Sequence, residues 1–144
     1  MAFNILLAAD GSNPSFRAAE KVLELLRMNP EINVTVITVY PGGEAAADND
    51  FSFVMNENIK DAIDEQLRKT TDKYREFFKA AGFDVDVQHR YGDPAERVCR
   101  FAENRNYDLV VVGTRGLKGF EGLVLGSVAH KIIHRCKMPV MLVR

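Results

Sequence analysis

The chain has 144 residues and a formal net charge of −1, from 19 Lys and Arg against 20 Asp and Glu. Hydrophobic residues make up 47% and charged residues 27%, which supports a buried core and excludes a chain that is disordered throughout. The length fits a single domain, assigned to residues 1–144. The balanced charge predicts no nucleic-acid partner, and no apolar run approaches the ~20 residues that a membrane span needs.

Compartment is predicted from the N-terminus and the cysteines. Met1–Leu7 has no basic start and no cleavage site after a long apolar stretch, so it predicts a first strand and not a signal peptide. Cys99 and Cys136 are too few for a disulfide framework. We therefore predict two reduced thiols in a cytoplasmic protein.

The N-terminal part of the chain predicts a strand, a helix and a second strand. Ile5–Ala9 is a continuous apolar run, as expected for a central parallel strand covered on both faces. Ser12 or Asn13 can cap the helix that follows, and Asn29–Pro30 ends it. Ile32–Val39 is rich in β-branched residues and predicts the second strand.

A polar segment and a long helix come next. Glu44–Met55 is small, acidic and polar, and we interpret it as a mobile loop or a frayed helix start. Closure of the Pro41–Met55 loop over a ligand is one function open to it, since long loops in compact domains are often functional. Helical spacing of apolar residues predicts a helix over about Asn56–Ala81, with Gly82 placed for its C-terminal cap.

The C-terminal half predicts three more strands and two helices. Phe83–Tyr91 alternates apolar and polar residues, which is typical of a half-buried strand near a sheet edge. A helix over Pro94–Asn104 precedes the apolar strand Leu109–Val112. The last helix begins near Ser127, and Val140–Val143 is the final strand.

Strands that alternate with helices predict a parallel sheet with helices on both faces. Ligands of such sheets bind beyond the carboxyl ends of the strands, where the winding reverses. The two most apolar strands are Ile5–Ala9 and Leu109–Val112. If they are neighbours, a crevice lies between Asp10 and Gly113.

The stretch Gly113–Ser127 holds five of the ten glycines of the chain. Glycine permits close approach of the backbone to a ligand. Gly126 is followed by the start of a helix, whose free N–H groups and dipole favour anions, and Ser127 adds a hydroxyl. Arg115 and Lys118 add positive charge. This combination is typical of a polyphosphate site.

The spacing Gly113-x2-Gly116-x9-Gly126-Ser127 is neither a P-loop nor a dinucleotide fingerprint. It resembles the motif of the universal stress protein family, in the branch that binds ATP. The resemblance extends along the whole chain through four further segments: Ile5–Ser12, Gly92–Pro94, Asp108–Gly113 and Cys136–Val140.

The resemblance implies an α/β fold of the Rossmann-like, adenine nucleotide alpha hydrolase-like type, with a five-stranded parallel sheet in the order 3-2-1-4-5 and helices on both faces. It also implies an ATP-binding protein that acts as a nucleotide-dependent regulatory module in the stress response. Any Mg²⁺ or Mn²⁺ would be held mainly by the phosphates and water. Family members commonly form homodimers through the last strand, which implies pairing along Val140, Met141, Leu142 and Val143.

The resemblance also implies the ligand contacts. Asp10 would contact the adenine or ribose end, Val39 would line the adenine pocket, and Val112 and Gly113 would approach the ribose and first phosphate. The phosphates would be held by Arg115, Gly116, Gly126, Ser127 and Val128.

Two positions depart from the pattern of some relatives. Ala129 stands where they have Thr, which removes one hydroxyl contact, and Ala8 stands where they have Pro, which changes the pocket shape slightly.

Each candidate residue has a structural alternative. The glycines could form only a flexible connection, Ser127 could be a plain helix cap, and Asp10 could be a turn residue because Asp-Gly is a common turn pair. Arg115 and Lys118 could be solvated surface charges.

A histidine pair offers a separate candidate site. His130 and His134 share a helix face near Cys136, but zinc normally needs three or four placed ligands, so we favour surface histidines.

Two other functions remain open. A slow ATP hydrolase or phosphoryl-transfer enzyme could use Arg115 and Glu121, although no Walker-type acid is visible. A nucleotide-free interaction module or receiver-like domain is disfavoured, since the acids that a receiver needs after its first and third strands are missing.

Overall fold

The computed structural model describes residues 2–42, 57–116 and 125–144. In the described parts of the chain, five parallel strands form one sheet in the order β3-β2-β1-β4-β5, which confirms the predicted order. The strands are β1 (Asn4–Ala8), β2 (Asn33–Tyr40), β3 (Asp86–Tyr91), β4 (Leu109–Gly113) and β5 (Val140–Val143). The helices are α1 (Asn13–Met28), α2 (Glu57–Ala80), α3 (Pro94–Asn104) and α4 (Ser127–Arg135).

Helices cover both faces of the sheet, as the alternation of elements predicts. Ile5 and Leu7 of β1 pack with α1 and α2 in one core, whereas Leu6 and Ala8 pack with α3 and α4 in the other. Successive side chains of a strand point to opposite faces. β1 must therefore be apolar on both sides, which explains its continuous apolar run.

Both α1 and α3 begin at a side-chain cap, and the cap of α1 is Ser12, one of the two residues predicted for it. Ser12 caps α1 by accepting a hydrogen bond from the Ser15 N–H, and Asp93 caps α3 by accepting one from the Glu96 N–H. Both caps are followed by a proline in the first turn, where the missing N–H costs nothing.

The start of β3 differs from the prediction by three residues, whereas the other strand ends differ by at most one residue. β3 begins at Asp86, and not at Phe83, because the chain is still completing the end of α2 there. The Phe83 N–H donates to the Phe78 carbonyl at 3.0 Å, and Gly82 adopts a φ of +90°. The α2-facing core absorbs Phe83 and Val85 in this connection.

The prediction of two reduced thiols is wrong for this structure. Cys99 of α3 and Cys136, the residue that ends α4, form a disulfide. Their Cα atoms are 4.9 Å apart because α3 and α4 pack side by side on one face of the sheet. Because both cysteines are oxidised, reduced thiols no longer support a cytoplasmic location. That location stays a prediction.

Some expectations lie outside the described residues. They concern Lys118, Glu121 and nearly all of the Pro41–Met55 segment. Among the helices of the described parts, none is long and apolar enough to cross a bilayer.

Candidate functional site

The sheet brings together the two strand ends that the sequence singles out. β1 lies between β2 and β4, and Ala8 pairs with Ile37 on one side and Val112 on the other. Because the strands are parallel, Asp10 beyond β1 and Gly113 at the end of β4 reach the same edge of the sheet. The winding of the chain reverses between these strands, where an open α/β sheet forms its ligand crevice.

One side of this crevice is the β1 wall, which we define as residues 10–15. The Asp10 Oδ1 atom accepts a hydrogen bond from the Ser12 N–H at 2.9 Å, and the Ser12 hydroxyl accepts from the Ser15 N–H at 3.2 Å. Gly11 has a φ of +83°, a conformation that side chains rarely tolerate. Asp10 is therefore a turn residue, as the structural alternative states, and its side chain is also exposed.

Helix α2 holds the β1 wall through Tyr74, which is completely buried. The Tyr74 hydroxyl accepts from the Gly11 N–H at 2.9 Å and donates to the Ser15 hydroxyl at 2.7 Å. The Ser15 hydroxyl in turn accepts from the Asp10 N–H at 3.2 Å. Burial raises the pKa of the Tyr74 hydroxyl, although its hydrogen bonds with Ser15 and Gly11 act in the opposite direction. The hydroxyl thus keeps its proton at neutral pH.

The opposite side is the β4 wall, which we define as residues 113–116 and 126–128. A Cβ atom on Gly113 would lie 2.8 Å from the Pro14 carbonyl carbon, so this glycine lets β4 pack against the start of α1. Thr114 is buried, and its N–H donates to the Val143 carbonyl at 2.9 Å. The end of β4 is therefore fixed from both sides.

Gly126 brings the start of α4 back against the end of β4. Its N–H donates to the Thr114 carbonyl, and a Cβ atom there would lie 3.3 Å from the Arg115 Cα atom. Two segments separated along the chain by the rest of the glycine-rich stretch therefore lie in backbone contact. The glycine spacing of the sequence identifies Gly126 as a candidate, but it does not show that Gly126 packs against the backbone of residues 114–116.

The two walls meet at Gly116 and Asp10. A Cβ atom on Gly116 would lie only 2.7 Å from the Asp10 Oδ2 atom. The carboxylate thus lies over the main chain of the β4 wall, where the lack of a side chain on Gly116 leaves room for it. One continuous surface therefore runs from Asp10 to Gly116 and, through the 114–116 turn, on to Gly126.

Helix α4 begins at this surface without a side-chain cap. Its N-cap residue is Gly126, which makes no side-chain capping hydrogen bond, and its first turn contains no acidic residue. Ser127 and Val128 are exposed. The first N–H groups of a helix have no partner within the helix and carry its positive dipole, so this end suits an anion.

The remaining predicted residues lie at or beside the crevice. Arg115 is exposed in the turn after β4, and Val112 is buried in β4. Val39 is half-buried near the end of β2 and packs against the core on the α3 and α4 face.

The residues that the sequence analysis missed are Tyr74 and Ser15. The helical spacing of apolar residues already accounts for the Tyr74 ring, and the sequence does not show whether its hydroxyl has a partner. Ser15 lies in the first turn of α1, three residues after the cap, where a buried hydroxyl cannot be recognised from sequence.

Among the described residues, the histidine pair is not part of a larger cluster of metal ligands. The rings of His130 and His134 lie in edge contact, with centroids 4.5 Å apart, and both residues are exposed. Cys136 is engaged in the disulfide. Across residues 2–42, 57–116 and 125–144, no group of three or more His, Cys, Asp or Glu side chains could hold a metal ion.

Solved structures share this fold over nearly the whole chain. The structure of the hypothetical protein MJ0577 matches with a TM-score of 0.82 at 22% identity and covers 99% of this chain and 96% of that one. A universal stress protein in complex with cAMP matches with a TM-score of 0.67 at 23% identity, covering 99% and 97%. An Arabidopsis thaliana family protein with AMP bound matches with a TM-score of 0.68 at 17% identity, covering 98% and 90%.

Curated relatives match at higher identity. Universal stress protein MJ0531 of Methanocaldococcus jannaschii is 30% identical over 142 residues, which cover 97% of this chain and 81% of that protein. Universal stress protein YxiE of Bacillus subtilis is 29% identical over 147 residues and covers 97% of both chains.

The family model gives the most direct comparison. The model of the universal stress protein family matches residues 1–144, so it spans both walls of the crevice and all five strands. On the fold, the glycine spacing and this match, the chain belongs to the universal stress protein family.

Proposed function

We propose that this protein binds ATP in the crevice between the β1 wall and the β4 wall, and acts as a nucleotide-dependent regulatory module in the stress response. Members of the family with this fold have been solved with cAMP and with AMP bound, which supports an adenine nucleotide as the ligand. The observation that carries the proposal is the contact of Asp10 with Gly116. It places a carboxylate next to a main-chain segment without a side chain, at the edge of the sheet where the winding reverses.

The two walls have different parts in this proposal. On the nucleoside side, the exposed Asp10 carboxylate accepts hydrogen bonds from the adenine or ribose, while Val39 and Val112 line the pocket and Gly113 lets the ribose approach. A carboxylate would repel phosphates, so the outer phosphates extend from Gly116 away from Asp10, toward Arg115 and the start of α4. The phosphates are held by Arg115, Gly116, Gly126, Ser127 and Val128.

The β4 wall fits a polyphosphate for three reasons. Gly116 is exposed, the α4 terminus at Gly126 has no side-chain cap, and Arg115 is exposed in the adjoining turn. Backbone N–H groups at a helix start form an anion site with the helix dipole. Any Mg²⁺ or Mn²⁺ is held mainly by the phosphates and water, in keeping with the preference of Mg²⁺ for phosphate oxygens.

Isothermal titration with ATP and with AMP tests the proposal. The wild-type protein should bind both, and Gly126→Val should abolish binding of ATP because its side chain fills the space against the Arg115 backbone. Arg115→Ala should weaken ATP more than AMP, since the guanidinium acts on the outer phosphates. Arg27→Ala removes an exposed arginine from the last turn of α1 and is the matched control. Absence of heat from folded wild-type protein at high micromolar ATP would contradict the proposal.

We also propose a homodimer through β5 in the cytoplasm. β5 is at an edge of the sheet, and its residues are only partly covered, with Leu142 37% exposed. An uncovered apolar edge strand invites pairing with another chain. Light scattering should give twice the monomer mass, and Leu142→Lys should shift the protein toward the monomer.

A further inference from the structure

The buried Tyr74 hydroxyl is far from the ligand surface along the chain but close to it in space. It joins α2 to the β1 wall by two hydrogen bonds, to Gly11 at 2.9 Å and to Ser15 at 2.7 Å. The ring is fixed as well, because Phe16 stacks on it in parallel with centroids 4.4 Å apart. Tyr74 therefore has little freedom to adopt another position.

This hydroxyl controls two consecutive N–H groups of the turn. It binds the Gly11 N–H directly and the Asp10 N–H through the Ser15 hydroxyl, which lies 3.2 Å from the Asp10 nitrogen. With both N–H groups directed toward the protein interior, the Asp10 side chain is left on the crevice side, with its Oδ2 atom over Gly116. α2 also supports the turn sterically, since a Cβ atom on Gly11 would lie 3.4 Å from the Thr70 methyl group.

We propose that Tyr74 is a positioning residue for nucleotide binding, which orients the Asp10 carboxylate toward the nucleoside through Gly11 and Ser15. This inference rests on the proposed function, because it assigns a purpose to Asp10 only if a nucleoside occupies the crevice. Recognition of the nucleoside then depends in part on Tyr74, a buried residue of α2 that lies outside the crevice. A hydroxyl that donates and accepts at once is required, and phenylalanine cannot replace it.

The test compares Tyr74→Phe with Tyr107→Phe. Tyr107 also makes a partly buried hydrogen bond, donating to the Thr35 hydroxyl at 2.7 Å, but it packs with the core on the α3 and α4 face. Tyr74→Phe should weaken ATP and AMP by the same factor, about three- to tenfold, since one or two hydrogen bonds that orient Asp10 are lost. Tyr107→Phe should leave both affinities unchanged.

A double-mutant cycle separates positioning from general loosening of the structure. In an Asp10→Ala background, Tyr74→Phe should cause no further loss of affinity, because the group that it orients is gone. Ser15→Ala removes the relay to the Asp10 N–H and should reproduce the effect of Tyr74→Phe. It decides the matter if Tyr74→Phe does not fold.

Three results would overturn the inference: wild-type affinity in both Tyr74→Phe and Ser15→Ala, an undiminished loss in the Asp10→Ala background, or a loss much larger for ATP than for AMP. In each of them the wild-type protein still binds ATP, so the proposed function stands. Failure of folded wild-type protein to bind either nucleotide removes the proposed function, and this inference with it.

Discussion

The two walls of the crevice are held by different kinds of contact. The β1 wall is fixed by side-chain hydrogen bonds, which run from Tyr74 through Ser15 to the backbone of the Asp10 turn. The hydrogen bonds described for the β4 wall join main-chain atoms, at Thr114 and Gly126, and its shape depends on glycines that have no side chain to collide.

This difference determines what a substitution can do in each wall. Removing a side-chain group from the β1 wall takes away a hydrogen bond and leaves a buried partner unsatisfied. Adding a group to the β4 wall introduces a clash, whose cost depends on whether the atom it meets can move. The predictions below test this contrast, beginning with the largest effect.

Loss of the disulfide should affect the β4 wall more than the β1 wall. The bond joins residues 37 positions apart and closes a ring that contains the β4 wall. Reduction should lower the free energy of unfolding by about 2 to 4 kcal/mol. Hydrogen exchange should rise more at residues 113–116 and 126–128 than at 10–15. The Cys99→Ala/Cys136→Ala double variant is the control and should not respond to reductant. Equal loss of protection in both walls would contradict the contrast.

Gly113→Ala should destabilise the protein, because the clash that it creates cannot be relieved by the movement of a side chain. The new Cβ atom would meet the Pro14 carbonyl carbon at 2.8 Å, and this backbone belongs to the first turn of α1. We expect a loss of about 1 to 3 kcal/mol in the free energy of unfolding, measured by urea denaturation. A stability equal to that of the wild type would show that the two elements separate easily.

Gly116→Ala makes the same chemical change three residues further on and should have a different result. Its Cβ atom meets the Asp10 Oδ2 atom, which is the end of a side chain and can move aside. Stability should therefore change little, while ATP affinity falls about tenfold because the carboxylate is displaced from its ligand. In an Asp10→Ala background, the same substitution should not weaken binding further. A large loss of stability with unchanged ATP affinity would show that Gly116 matters for packing and not for the position of Asp10.

The smallest expected effect is a pH dependence that arises from Tyr74. Its pKa in the folded protein is raised by burial, above the ordinary value of 10.0. The unfolded chain releases the proton first as the pH rises, so the stability linked to this group is fully present below pH 10 and is lost above it. The stability advantage of the wild type over Tyr74→Phe should therefore stay the same up to about pH 10 and shrink as the pH rises further. A difference that does not shrink above pH 10 would contradict a buried, protonated hydroxyl.

Much of the fold could be predicted because its determinants are local. The apolar run of β1, the cap at Ser12 and the spacing from Gly113 to Gly126 are each visible within one short stretch of the sequence. The contacts that were missed join distant positions. Tyr74 lies 63 residues from Gly11, and its apolar ring satisfies the helical pattern whether or not the hydroxyl has a partner.

The disulfide could not be predicted for a similar reason. Two cysteines 37 residues apart obey no spacing rule, and only the packing of α3 beside α4 brings them together. The ligand contacts of the individual residues are also not determined by sequence, since the resemblance assigns roles but not the direction of each side chain.

The ring closed by Cys99 and Cys136 has one further consequence. A protease that cuts the backbone once at any bond between these two residues opens the chain but does not release a fragment. Such a nicked molecule migrates as a single species on a denaturing gel, and it separates into two pieces only when a reducing agent is added to the sample.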